Sequence, residues 1–192
     1  MAKDVIIALD FPSGEKALDF LKNFKDEKVY VKVGMELFYK EGPSIIKEIK
    51  NLGHKIFLDL KIHDIPNTCK GATNSLISLD VDMINYHIAG GKKMLSDASE
   101  IVSDKKRNLI TLGVTMLTST DEDVMHEELK IDKSMSLDEV VLSYAKLAKE
   151  ANLTGIVCSA LEVPKIKENL GEGFITVTPG IRKVKNTDDQ KR

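Results

Sequence analysis

The sequence predicts an α/β fold, a (β/α)8 TIM barrel whose eighth βα unit is missing from the chain. Three observations carry that prediction. Short apolar, β-branched runs alternate with amphipathic stretches along all 192 residues, the pattern of parallel strands linked by right-handed crossovers. Most runs are continuously apolar rather than strictly alternating, as expected where both faces of a sheet are covered. The first five begin about 26 residues apart, close to the length of one barrel unit.

Candidate strands cover residues 5–9, 29–33, 55–60, 83–87, 109–115, 155–158 and 174–177. Between them, Ala17, Leu18, Leu21 and Phe24 share one helical face, as do Ile45, Ile46, Ile49 and Leu52. Gly53 follows the second set where a C-terminal cap belongs. The interval from the fifth strand to the sixth is nearly double the others, leaving room for an insertion around 119–134. After it, Leu137, Val140, Val141, Tyr144 and Ala148 form another stripe, which Ser136 and Glu139 open as a capping box. That makes seven strands, with the polar stretch 183–192 as the loop after the seventh. The expectation is a single barrel domain over residues 1–192, truncated at its C-terminal end. An open, doubly wound sheet is the competing architecture, but no GxGxxG turn supports a dinucleotide fold.

Composition narrows the function classes. The chain is 42% hydrophobic and 30% charged, ordinary for a globular protein. With 28 basic against 30 acidic residues the net charge is −2, so no basic face for nucleic acid is implied. The longest apolar runs span a few residues, against about 20 for a membrane helix. No signal-peptide layout precedes the first strand, so the expected location is cytoplasmic. Cys69 and Cys158 lie 89 positions apart, form no CxxC motif, and read as two inert thiols.

Polar residues gather at the strand ends. Asp10 ends the first, Lys32 the second, Asp59 and Lys61 the third, and His87 the fourth. Thr115 and Thr118 follow the fifth, Ser159 the sixth and Arg182 the seventh. In a barrel the carboxyl ends converge on one mouth, where barrel enzymes work. Residues 59 and 61, two apart on a strand, are expected on the same side, placing a carboxylate beside an ammonium. Such a pair would be a weak brace, because desolvation offsets its attraction; with Lys32 beside it, a site is the better reading. Asp59, Asp64 and His87 are the hard ligands a metal site would use, but the neighbouring ammoniums disfavour a cation, and neither metal nor cofactor is expected. His54 is placed at a strand entrance, away from the mouth. Gly90-Gly91 reads as a tight turn. In Thr178-Pro179-Gly180-Ile181-Arg182 a rigid turn presents an arginine suited to phosphate.

These residues resemble the bacterial orotidine 5′-monophosphate decarboxylase family. The matching segments are Ile7-Ala8-Leu9-Asp10, Val31-Lys32-Val33-Gly34, Asp59-Leu60-Lys61-Ile62-His63-Asp64-Ile65-Pro66-Asn67-Thr68, Leu117-Thr118-Ser119 and Thr178-Pro179-Gly180-Ile181-Arg182. The DxKxxD core is shared with sugar-phosphate relatives; DIPNT and TPGIR make the match specific. The resemblance implies cofactor-free decarboxylation of a nucleotide in pyrimidine biosynthesis, by a homodimer. It assigns Asp10 and Lys32 to the ribose, Asp59 to the substrate carboxylate, and Lys61 to proton delivery at C6. Asp64, Ile65 and Thr68 would reach into the neighbouring subunit's site. Thr118 would contact the pyrimidine with Pro179 packed nearby, Arg182 would bind the phosphate, and Gln190 would bridge phosphate and base from a closing loop. The family continues past the position of Gln190 with an eighth strand and a Gly-Arg turn, neither of which this sequence contains. Other readings on the same barrel are a metal-dependent hexulose-phosphate synthase or isomerase and a Schiff-base aldolase using Lys61. A fragment that binds nucleotide without turnover is the reading from a different class.

Overall fold

The computed structural model describes residues 4–105 and 108–181. All seven expected strands form: β1 (Ile6–Ala8), β2 (Tyr30–Gly34), β3 (Lys55–Ile62), β4 (Met83–His87), β5 (Ile110–Val114), β6 (Gly155–Val157) and β7 (Ile175–Val177). They make one sheet in sequential order, β1 to β7, and every neighbouring pair is parallel. The sheet curls into an incomplete barrel, with helices on its outer face.

Helices fill the intervals, three of them where the stripes fall. The helices are α1 (Gly14–Leu21), α2 (Met35–Glu41), α3 (Pro43–Asn51), α4 (Pro66–Ile77), α5 (Gly91–Asp104), α6 (Glu122–Glu127), α7 (Leu137–Glu150) and α8 (Val163–Leu170). Ser13 caps α1 by accepting from the Lys16 amide. Ser136 and Glu139 form the expected capping box on α7. Gly53 follows α3 at φ 85°, its amide reaching the Lys50 carbonyl. The long β5–β6 interval holds α6 as an extra helix. The pattern around residues 35–52 did not show two helices there. Gly42 at φ 68° and Pro43 at the first turn of α3 break them apart. Ile45, Ile46 and Ile49 are buried as the stripe requires, but Leu52 is exposed.

Strand periodicity splits the buried residues into two layers. Outward-facing Val31, Val33, Ile56, Leu58, Ile84 and Tyr86 pack against the helices in the main core. Inward-facing Tyr30, Phe57, Met83 and Leu112 form a second apolar cluster inside the curve of the sheet. One step of two residues further along, the inward positions become Lys32, Asp59 and Asn85. The barrel interior is thus apolar at its floor and charged at its mouth.

Candidate active site

Stagger and side-chain length assemble the mouth. Lys32 pairs with Phe57 and Gly34 pairs with Asp59, so Lys32 starts about 7 Å below the level of Asp59. Its long stem climbs to bring Nζ 3.1 Å from Asp10 Oδ1 and 3.7 Å from Asp59 Oδ2. A Cβ at Gly34 would stand 3.3 Å from Nζ, so any larger residue there would push the ammonium aside by a few tenths of an ångström. Lys61 Nζ donates to Asp59 Oδ1 at 2.7 Å. Asp59 therefore lies between two ammonium groups. Its side chain is 13% exposed, against 23% for Lys32, 26% for Lys61 and 70% for Asp10. Together with Leu9, Phe11, Gly34 and Met35 these four line an open cleft of about 210 Å³.

Asp59 and Lys61 meet as expected, but not by plain strand alternation. Lys61 has φ +50°, and the β3–β4 register shifts between Leu58 and Ile62. A bulge with a left-handed residue aims the lysine. No local pattern in residues 55–62 signals it.

The remaining expected residues fall into three groups. Asp64, Ile65 and Thr68 are all exposed where β3 runs into α4, outside the cleft lining. The Asp64 carboxylate accepts from the Ile65 amide at 2.7 Å. Thr118 is half-buried in the turn after β5, and Pro179 is exposed after β7. Arg182 and Gln190 lie outside the described residues. Two residues assigned to the mouth turn out to hold the backbone instead. Thr115 is buried and donates to the Val157 carbonyl at 3.0 Å. Ser159 caps the short 3-10 turn Ala160–Glu162, its amide held by the Glu162 carboxylate.

Asn85 was missed. It is buried on β4, donates to Asp59 Oδ1 at 2.6 Å, and accepts from the Lys61 amide at 2.8 Å. Its signal was a lone amide in the apolar run Met83-Ile84-Asn85-Tyr86, on the same strand face as His87. The His87 ring lies 5.6 Å from that of His63. Burial holds His87 below the usual imidazole range, helped by His63 and Lys61. His54 is buried at the foot of β3, where its Nδ1 accepts from the Val29 amide. Among the described residues, no three His, Cys, Asp or Glu side chains cluster as metal ligands. None of the described helices is long and apolar enough to cross a membrane.

Sequential parallel strands carrying a lysine–aspartate–lysine array at their carboxyl ends define the class, a β/α-barrel protein with a charged mouth at the end where barrel enzymes work. Residues 3–192 match the model of the family described as orotidine 5'-phosphate decarboxylase / HUMPS, and the chain belongs to that family. It is 55% identical over 186 residues to the orotidine 5'-phosphate decarboxylase of Bacillus cereus (strain Q1), covering 95% of this chain and 77% of that one. The Bacillus cytotoxicus protein of the same name matches equally, at 55% identity and the same coverage. Among solved structures, an uncharacterized conserved protein from Geobacillus kaustophilus superposes with a TM-score of 0.86 at 48% identity, over 91% of this chain and 82% of that one. Orotidine 5'-phosphate decarboxylase from Lactobacillus acidophilus gives 0.85 at 40% identity, over 94% and 82%.

Proposed function

We propose that this protein decarboxylates orotidine 5′-monophosphate to uridine 5′-monophosphate without a cofactor, a step of de novo pyrimidine biosynthesis, with Lys61 as the proton donor. The observation that carries the reading is Asp59 held between Lys32 and Lys61, with the Lys61 ammonium 2.7 Å from its carboxylate. Breaking the C6–carboxylate bond releases carbon dioxide and leaves an electron pair on C6 with no adjacent sink. An ammonium fixed beside C6 stabilises that charge, then transfers its proton to make the C6–H bond. Water returns the proton to the lysine. Asp59, crowded against the substrate carboxylate, raises the energy of the bound ground state relative to the product. Lys32 and Asp10 hold the ribose, and Thr118 and Pro179 flank the base. Arg182 binds the phosphate and Gln190 bridges phosphate and base, supplying remote binding energy.

The working unit in this reading is a cytoplasmic homodimer in which Asp64, Ile65 and Thr68 complete the partner's site. Their shared exposure at the start of α4, with Ile65 67% exposed in the isolated chain, supports it.

The test is the fall in orotidine 5′-monophosphate absorbance in the presence of a strong chelator. Turnover is expected to survive the chelator and to vanish in Lys61→Ala. Turnover that the chelator abolishes, or that persists without Lys61, overturns the reading. Chelator-sensitive activity on a pentulose or hexulose phosphate would replace it with the metal-dependent reaction.

A further inference from the structure

Opposite the bulge in β3, one buried side chain does the work of a missing ladder partner. The register runs Leu58↔Ile84 and then Ile62↔Tyr86, so residues 59 to 61 all pass opposite the single residue Asn85. A parallel ladder has no backbone carbonyl to offer each of them. The Lys61 amide, turned by φ +50°, instead donates to Asn85 Oδ1 at 2.8 Å. The other end of the same amide, Nδ2, donates to Asp59 Oδ1 at 2.6 Å. Asn85 is 1% exposed, so solvent does not substitute for either contact.

We propose that Asn85 is a positioning residue of the active site, whose single amide locks the Asp59 carboxylate and the Lys61 backbone into one geometry. A neutral amide suits this place because it donates and accepts at once without adding charge. Asp59 Oδ1 is shared by Asn85 and Lys61 Nζ, which leaves Oδ2 on the side of Lys32, 3.7 Å away. The rotamer of Asp59 and the origin of the Lys61 stem are thereby set by one group that itself touches no solvent. What this does to turnover rests on the decarboxylase reading; the two contacts themselves do not.

The experiment compares wild type with Asn85→Ala and Asn85→Asp. It reads kcat across pH, affinity for uridine 5′-monophosphate, and hydrogen exchange at the Lys61 amide. Asn85→Ala is expected to lower kcat about 100-fold while nucleotide affinity stays within about 3-fold, since sub-ångström misplacement of reacting groups costs rate rather than binding. Its Lys61 amide should lose protection. Asn85→Asp keeps the acceptor for that amide and sets a second carboxylate against Asp59. A proton shared by the pair replaces the lost N–H at low pH and is released as pH rises. Its kcat should therefore begin to fall at lower pH than that of wild type. His87, Lys32 and Lys61 surround the pair in all three proteins, so the readout is the difference between the pH profiles rather than either profile alone. A wild-type kcat and pH profile in Asn85→Asp, or parallel loss of kcat and nucleotide affinity in Asn85→Ala, overturns the proposal. Should Asn85→Ala not fold, Asn85→Asp decides. Should wild type not decarboxylate, the reaction assigned above fails, and exchange alone judges Asn85: an unprotected Lys61 amide in wild type sinks it.

Discussion

Two aspartates at opposite ends of the sheet show how the same residue serves two ends. At the floor, Asp82 Oδ2 accepts from Lys50 Nζ at 3.0 Å and from the Ile56 amide at 2.8 Å. Its own amide reaches the Ile56 carbonyl, and its carbonyl receives the Ile110 amide. The backbone contacts tie the start of one strand to the next, and Lys50 ties in the end of α3. At the mouth, Asp59 receives Lys61 at 2.7 Å and Asn85 at 2.6 Å, with Lys32 at 3.7 Å. Two ammoniums converge on one carboxylate beside an open cleft. Charges at the floor satisfy backbone that would otherwise be unpaired. Charges at the mouth face one another, an arrangement whose desolvation cost makes it a poor brace and fits the site proposed above.

A matched pair of substitutions would break this contrast most sharply. Asp59→Asn should lower kcat at least about 1,000-fold, since it removes the charge set against the substrate carboxylate, while moving Tm by only a few degrees. Steady-state kinetics beside a thermal melt reads both. A large fall in Tm with little loss of kcat would make Asp59 a brace after all.

The second largest effect concerns the exposed residues of the β3–α4 turn, which the isolated chain leaves outside the cleft. Lys61→Ala and Asp64→Ala subunits, each nearly inactive alone, should regain about a quarter of wild-type sites when mixed equally and allowed to exchange, the statistics of a two-fold dimer with shared sites. Recovery no greater than that of the parents would confine Asp64 to its own turn.

Asp82→Ala is the counterpart at the floor. It leaves the Ile56 amide without its acceptor and Lys50 with Asp80 at 3.8 Å in place of the closer carboxylate, and should cost about 1–3 kcal/mol, seen as a Tm lower by several degrees. The kcat of the folded fraction should not change. A kcat loss matching that of Asp59→Asn would erase the distinction between the two ends.

The smallest effect is in pH. Burial, and then Lys28, lowers the His54 pKa from its usual 6.5. The unfolded chain therefore binds the proton more readily. Stability from the neutral ring is complete above about pH 6.5 and drains away as pH falls through the lowered folded value. Protonation would also take Nδ1 from the Val29 amide. His87 shifts in the same direction. His54→Asn keeps an acceptor that does not titrate, so its Tm should fall less steeply than wild type between pH 7 and pH 5. An unchanged slope would show that other groups carry the acid sensitivity.

By itself the sequence determined the seven strands in order, three of the helices, and Asp10, Lys32, Asp59 and Lys61 as residues that meet at the mouth. Short, β-branched apolar runs bounded by turn residues favour covered strands, and stripes at helical spacing favour helices that bury one face, so both are written locally. Lys32, Asp59 and Lys61 were legible because each places a charge at the end of an apolar run, where burial demands a reason. Tertiary structure decided what the local pattern does not encode. That Thr115 and Ser159 hold backbone while Asp59 faces a cleft depends on the strands beside them. The left-handed turn of Lys61 and the bridging amide of Asn85 arise from a length mismatch between β3 and β4. Such a mismatch is a property of two strands paired in space, and neither strand's residues state it alone.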